Sequence, residues 1–154
     1  MAFIYLTIEQ AIEIHGKTIE ISGGGSIGQI EIDKLDGVLH HIQNDNYYPT
    51  FDLKITHLFF CACKFHCFED GNKRIAITLC AQMLLFNGYL KSIQAFIHES
   101  ENISYHVAAG TISKELLGRW IEAILKGTED NESLKLEIYN AISNVTIDPK
   151  SNGF

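Results

Sequence analysis

The chain has 154 residues, of which 46% are hydrophobic and 20% charged, and its 12 basic and 19 acidic residues give a formal net charge of -7. This length fits one globular domain with a single core, and the apolar content excludes intrinsic disorder. The acidic balance argues against a duplex-DNA binder, no apolar run approaches the roughly 18 residues of a membrane span, and the N-terminus lacks a signal-peptide pattern, so we expect a cytoplasmic protein.

The first part of the chain is predicted to hold two amphipathic helices separated by a glycine-rich loop. Thr7 and Gln10 form a capping-box pattern, and apolar residues at helical spacing follow. A second helical pattern begins at Asp33, a good N-cap residue. The loop over residues 23–28 contains a literal GxGxxG, but no strand precedes it. We therefore interpret the alternation over 27–32 as an extended arm or small hairpin rather than part of a dinucleotide-binding turn.

The two most apolar helices are predicted in the middle of the chain. The third helix is capped by Asp52 and stops near Phe68, where turn-forming residues follow. The fourth begins directly after this turn and ends at Asn87-Gly88. It is apolar over much of its circumference, which predicts the central and most buried helix.

The remainder is predicted to be helical as far as Gly127, although residues 93–98 fit a strand as well as a helix. Ser113 and Gly127 bound the last helix of this part. A polar linker and a weakly amphipathic stretch follow. We therefore predict a domain over residues 1–127 and a C-terminal extension over residues 128–154 that consists of a linker and a short helix.

Three of the four cysteines, Cys61, Cys63 and Cys67, lie in one stretch of seven residues in the third predicted helix. On a helix, Cys61 and Cys63 would point about 200° apart, so no disulfide can join them. Cys63, His66 and Cys67 share one helical face and would suit a metal ion, but the sequence has no second ligand pair such as CxxC. We favour buried or half-buried thiols in a reducing compartment.

Reactive side chains are concentrated between His66 and Arg74, where the third helix ends and the fourth begins. Unpaired N–H groups at a helix N-terminus attract anions, Gly71 permits close approach, and Lys73 and Arg74 add full positive charges. Asp70 is a hard oxygen ligand suited to Mg²⁺, and His66 can serve as a general base. Each residue alone also fits an ordinary solvated turn. Together they are the parts of a phosphoryl or nucleotidyl transfer site.

The sequence HCFEDGNKR, which begins at His66, resembles the signature H-x-F-x-[DE]-[GA]-N of the Fic/Doc superfamily. The continuation Lys73-Arg74 with the aliphatic Ile77 resembles its Doc, or death-on-curing, branch. The similarity covers about Ile4 to Leu125. It implies an all-α Fic fold, a helical bundle with a short β-hairpin-like flap that aligns the target segment.

The resemblance also implies a role for each residue of the motif. His66 becomes the general base, Asp70 the Mg²⁺ ligand and Phe68 a structural anchor. The residues that begin the fourth helix are implied to contact the phosphates of ATP: Asn72, Lys73 and Arg74. Gly71, directly before them, lets a phosphate approach the backbone closely.

Two departures from the AMP-transferring pattern H-x-F-x-x-G-N-G-R-x-x-R decide which activity the resemblance implies. Lys73 replaces the second Gly, and Ile77 replaces the final Arg, which removes a bidentate phosphate clamp. The Doc branch has this pattern. It implies a toxin of a toxin-antitoxin system that uses Mg²⁺ and ATP to phosphorylate a Ser/Thr hydroxyl of a translation factor such as elongation factor Tu. AMP transfer and a catalytically silent binding module remain the alternatives.

The family resemblance further implies that such a toxin is restrained by a separate antitoxin or by an inhibitory helix with the pattern [ST]-x-x-x-E-[GN]. Thr128 to Glu132 and Ser133 to Glu137 keep the first five positions of this pattern but not the sixth. We therefore expect a cognate antitoxin and a protein substrate as partners, and no direct contact with nucleic acid or membrane.

Overall fold

A computed structural model of the chain describes residues 2–21, 23–25, 28–29, 31–65 and 71–146. Residues 144–146 are described by their backbone alone. Within these ranges the chain forms seven helices and no strand, which confirms the predicted all-α fold. The helices are α1 (Ile8–Ile21), α2 (Ile32–His41), α3 (Phe51–Lys64), α4 (Asn72–Phe86), α5 (Leu90–Ala109), α6 (Lys114–Lys126) and α7 (Glu132–Thr146). None of the helices described is long and apolar enough to cross a membrane.

Helix α1 begins with the capping box that the sequence predicts. The Thr7 N–H donates to Gln10 Oε1 at 2.9 Å, and the Gln10 N–H donates to Thr7 Oγ1 at 3.1 Å. The helix buries one stripe, formed by Ala11, His15 and Ile19. Its main partner is α4, so the N-terminal helix supports the central one.

The core lies around α4, which packs against α1, α3 and α5. As predicted, the apolar residues of α4 are buried around much of the helix: Ile75, Ala76, Leu79, Cys80, Met83 and Leu84. An aromatic cluster connects α3, α5 and α6. The ring of Phe59 on α3 lies 5.9 Å from that of Phe96 on α5, and Phe96 lies 5.6 Å from Trp120 on α6.

Packing decides the ambiguous segment 93–98. Helix α5 runs without a break over Leu90–Ala109 and includes it. Phe96 is buried in the aromatic cluster, whereas Ile97 and His98 are exposed, so the segment has a helical rather than an alternating pattern of burial.

The N-caps of α2 and α3 lie two residues before those expected. Glu31 and Thr50 occupy these positions, so Asp33 and Asp52 lie inside the first turn instead of preceding it. There their carboxylates complement the positive end of the helix dipole. The predicted flap includes residues 26, 27 and 30, which lie outside the described residues, and it stays a prediction.

A buried lysine connects the N-terminal segment with the α2–α3 connection. Lys54 has 0% of its surface exposed, and its Nζ donates to the Ile42 carbonyl and to Asp45 Oδ1, both at 2.7 Å. The same ammonium lies 5.8 Å from the ring centre of Phe3 and 5.5 Å from that of Tyr5. The buried ammonium is therefore paired, as burial requires, with a backbone carbonyl and with a carboxylate that is itself exposed.

Helix α7 has 15 residues and packs on α6. Leu134 is buried, and Glu137 forms an ion pair with Arg119 of α6. The proposed division of the chain at residue 127 stays a prediction, but the extension is in contact with the body through α7.

Candidate active site

Of the predicted site, the structure describes residues 71–74, which form the start of α4. Gly71 is its N-cap and has a φ of 78°, in the left-handed region that favours glycine. A Cβ at this position would lie 3.0 Å from Ile19 Cδ1, so a side chain here would require Ile19 to shift. Gly71 thus begins α4 in a conformation and at a contact that both favour glycine.

Lys73 and Arg74 are exposed on this first turn and line a cavity of about 690 Å³ between α4 and α5. The structure therefore brings two of the predicted phosphate contacts to one open site. Asn72, between these cations and Gly71, is the half-buried first residue of the helix. Such a turn combines two full charges with the partial positive charge of the helix end.

The opposite wall of this cavity comes from α5, which the sequence analysis did not connect with the site. It includes His98, Asn102 and Tyr105, all exposed and all on one face of the helix. Their spacing of four and three residues is the signal that identifies a shared face. A shared polar face is also typical of an ordinary solvated surface, so only the structure relates it to α4.

Ile77 also lines the cavity. This is the position at which the AMP-transferring pattern has its final Arg. The chain thus presents an apolar side chain where that pattern would place a third cation.

His15 is a further residue beside the site. It lies in the middle of α1, is 1% exposed, and its Nε2 is 3.7 Å from the point that a Cβ of residue 71 would occupy. It belongs to the buried stripe of α1, and no motif in the sequence connects it with the site. A buried imidazole at this distance helps to form the surface on which the N-terminus of α4 rests.

His66, Cys67, Phe68 and Asp70 lie outside the described residues, so the base, the anchor and the metal ligand stay predictions. The described chain brackets them, since α3 ends at Lys64 and α4 begins at Asn72. Among the residues that the structure describes, no group of three or more His, Cys, Asp or Glu residues is placed to hold a metal ion.

The cysteines near the site are buried thiols, as expected for the three that are described: Cys61, Cys63 and Cys80 are free and buried. Burial raises the pKa of Cys63 to about 12, against the lowering effect of Lys73 and Lys64. This thiol is therefore protonated at neutral pH.

Comparison with known proteins gives one match. Residues 5–84 fit the family model described as Fic/DOC family, and these 80 residues are more than half of the 154-residue chain. The matched region extends from before α1 almost to the end of α4 and includes the whole reactive segment. No curated protein matches the chain, and no solved structure does so either.

Proposed function

Because the chain belongs to the Fic/DOC family, we propose that it is a protein kinase of the Doc type and the toxin of a toxin-antitoxin pair. Its reaction transfers the terminal phosphate of ATP to a Ser or Thr hydroxyl of a translation factor such as elongation factor Tu. It acts in the cytoplasm, and a cognate antitoxin restrains it.

The observation that carries this proposal is the position of Lys73 and Arg74 at the mouth of a cavity opposite Tyr105 and Asn102. A volume of about 690 Å³ lies within the usual range for pockets that bind small molecules. The two cations and the helix N-terminus attract phosphates, while the phenol ring and the amide offer stacking and hydrogen bonds to a nucleoside. The Glu101 carboxylate also lines the cavity, but the two cations outnumber it, so the cavity suits a nucleotide in both charge and size.

The chain's residues suit the transfer step. His66 accepts the proton of the target hydroxyl while its oxygen bonds to the γ-phosphorus, and the bond from that phosphorus to the β–γ bridging oxygen breaks to release ADP. Lys73 and Arg74 stabilise the negative charge that develops on the phosphoryl oxygens. Asp70 would hold Mg²⁺, which neutralises phosphate charge when it is bound.

The fit of Mg²⁺ follows from the position of Asp70 beside Gly71. This ion is usually bound in proteins by one or two carboxylates together with substrate phosphates. In the sequence, Asp70 directly precedes Gly71, the N-cap of the helix end where the phosphates would bind. A single protein carboxylate there matches the requirement of the ion.

Ile77 favours phosphate transfer over AMP transfer. The final Arg of the AMP-transferring pattern would project from a position that lines the nucleotide cavity, and here that position is apolar. A nucleotide held by Lys73 and Arg74 alone lacks the bidentate clamp that the third cation would supply.

The test is transfer of label from ATP to protein in a cell lysate and to purified elongation factor Tu. We expect label from γ-³²P-ATP and none from α-³²P-ATP. The His66→Ala variant should lose at least 100-fold in rate, because a positioned general base contributes about 10²- to 10⁴-fold. Its melting temperature and nucleotide binding, measured in parallel, should stay close to those of the wild type.

Each other outcome identifies a different alternative. Label only from the α position would replace the proposal by AMP transfer. Absence of both labels, with nucleotide binding intact, would favour the silent binding module. Equal activity of the wild type and His66→Ala would show that the assignment of the base is wrong.

A further inference from the structure

A second cavity, of about 430 Å³, lies between α7 and the helices α5 and α6. It shares His98 and Asn102 with the cavity at Lys73, but its other walls are more apolar and carry more carboxylates than cations. Ile103, Ile138 and Ile142 supply the apolar part, and Glu99 and Glu129 supply the acidic part. Neither the family match nor the proposed transfer reaction accounts for it.

Glu129 points to a missing partner. Of the buried side-chain nitrogen and oxygen atoms in the described part of the chain, its Oε2 is the one that has no hydrogen bond. A buried polar atom that lacks a partner costs free energy, and a carboxylate oxygen costs more than a neutral one. Such atoms are rare in native proteins and call for an explanation, for which a bound donor is one.

The neighbouring groups do not supply this donor. The Trp120 indole N–H donates to Glu99 Oε2 at 2.7 Å. The Lys135 ammonium, which also lines the cavity, donates to Asp130 Oδ1 at 3.0 Å. The Lys135 ammonium keeps further N–H donors, but none of them bonds to Glu129 Oε2 in the structure. The local charge of Glu99, Glu129, Asp130 and Lys135 is negative.

The aromatic groups and the apolar wall define the shape of the ligand. Trp120 and Tyr139 both line the cavity, and Tyr139 is 66% exposed, so its ring stands at the opening. Aromatic rings attract organic cations, and isoleucine side chains accommodate a hydrocarbon stem. An inorganic cation would gain nothing from the isoleucine part of these walls.

We propose that this cavity binds a primary ammonium group on an aliphatic stem, with the ammonium donating to Glu129. The same chemistry is present in a free aliphatic amine and in the lysine side chain of a partner protein. An ammonium group has three N–H donors, which satisfies the unpaired oxygen and offsets the negative local charge.

The sequence provides a built-in reporter for the test, because Trp120 is the one tryptophan of the chain and lies in the cavity wall. The wild-type protein is titrated with n-pentylamine at pH 7 and constant ionic strength while Trp120 fluorescence is recorded. We expect a saturable change in fluorescence. The uncharged analogue 1-pentanol should bind about tenfold or more weakly, since a charge-assisted hydrogen bond contributes about 1.5–3 kcal/mol.

Two variants with the same loss of charge locate the site. Glu129→Gln should weaken n-pentylamine binding about tenfold, whereas Glu132→Gln, at an exposed position outside the cavity, should leave it unchanged. Circular dichroism confirms that both variants are folded. Because the analogue comparison uses the wild-type protein, it tests the proposal even if a variant does not fold.

A final titration with Nα-acetyl-lysine methylamide distinguishes the two sources of the ammonium group. Binding tighter than that of n-pentylamine supports a lysine side chain of a partner, and weaker binding supports a free amine. The proposal is overturned by no saturable signal up to 20 mM n-pentylamine, by equal binding of 1-pentanol, or by equal loss in the two glutamate variants.

Discussion

At the scale of single residues, the ionisation of His57 on α3 couples stability to pH. Its Nδ1 lies 2.8 Å from the Lys114 Nζ, and the centre of the Tyr48 ring lies 4.7 Å from that of the imidazole, with the two planes tilted by 30°. Burial, followed by the positive charges of Lys114 and His41, lowers the pKa of His57 to about 4. The imidazole is therefore neutral in the folded protein at pH 7 and accepts a hydrogen bond from the lysine.

This lowered pKa predicts that stability falls in mild acid. Between pH 6.5, near the pKa of an unfolded histidine, and pH 4, the unfolded chain binds a proton that the folded protein does not. The free energy of unfolding should therefore rise with pH through this window. Urea unfolding at pH 4.5 and pH 7 should show a smaller difference in His57→Gln than in the wild type.

The matched control for this prediction is His98→Gln, which removes an exposed histidine from α5. It should keep the pH dependence of the wild type. An unchanged pH dependence in His57→Gln would mean that other groups cause the acid sensitivity.

At the scale of elements, the fit between α1 and the N-terminus of α4 depends on the absence of a side chain at residue 71. Gly71 and Gly88 both have positive φ, 78° and 84°, but only Gly71 has a neighbour within 4 Å of the Cβ position. Ala at either position is strained by its backbone conformation. Ala at position 71 would in addition displace Ile19.

We therefore expect Gly88→Ala to lower the free energy of unfolding by about 1 kcal/mol, from the positive φ alone. Gly71→Ala should cost about 1 kcal/mol more, because overpacking adds a penalty of that order. Ile19→Val removes the Cδ1 atom at the contact. The double variant Gly71→Ala/Ile19→Val should recover part of the additional loss. Chemical denaturation of the wild type, the single variants Gly71→Ala and Ile19→Val, and the double variant measures this coupling. Strict additivity would show that the α1 contact is not the cause.

At the scale of the whole molecule, α7 bears on whether the chain inhibits itself. Glu137, one of the two candidate inhibitory glutamates, pairs with Arg119 of α6 and not with Lys73 or Arg74. The other, Glu132, is exposed at the start of α7. This arrangement supports restraint by a separate antitoxin.

Deletion of residues 128–154 should consequently leave phosphate transfer within about twofold of the full chain. It should also lower the free energy of unfolding by about 2 kcal/mol, the order expected for burial of one leucine such as Leu134. The exposed ion pair adds little. Label transfer and urea unfolding measure the two effects, and a tenfold gain in transfer would identify α7 as inhibitory.

The sequence predicted those features of the molecule that depend on local pattern. Neighbouring residues determine the capping box at Thr7 and the apolar circumference of α4. The same is true of the caps of α6, Ser113 and Gly127. The burial of Lys54 is not determined in this way, because its partners Ile42 and Asp45 lie in another element and a lysine within a helix is normally solvated. The contribution of α5 to the site was missed for the same reason, since its polar face fits a surface helix equally well.

Because α4 is central, the amides in its buried middle should be among the last to exchange with solvent. Its first hydrogen bond, from the Ile75 N–H to the Gly71 carbonyl at 2.8 Å, belongs to the helix with the most deeply packed side chains. In native-state hydrogen exchange, we expect amides in the buried middle of such a helix to be released only by opening of the whole domain, whereas helix ends open locally. The middle of α4 should therefore persist for as long as the protein is folded, and it anchors the exposed first turn that carries Lys73 and Arg74.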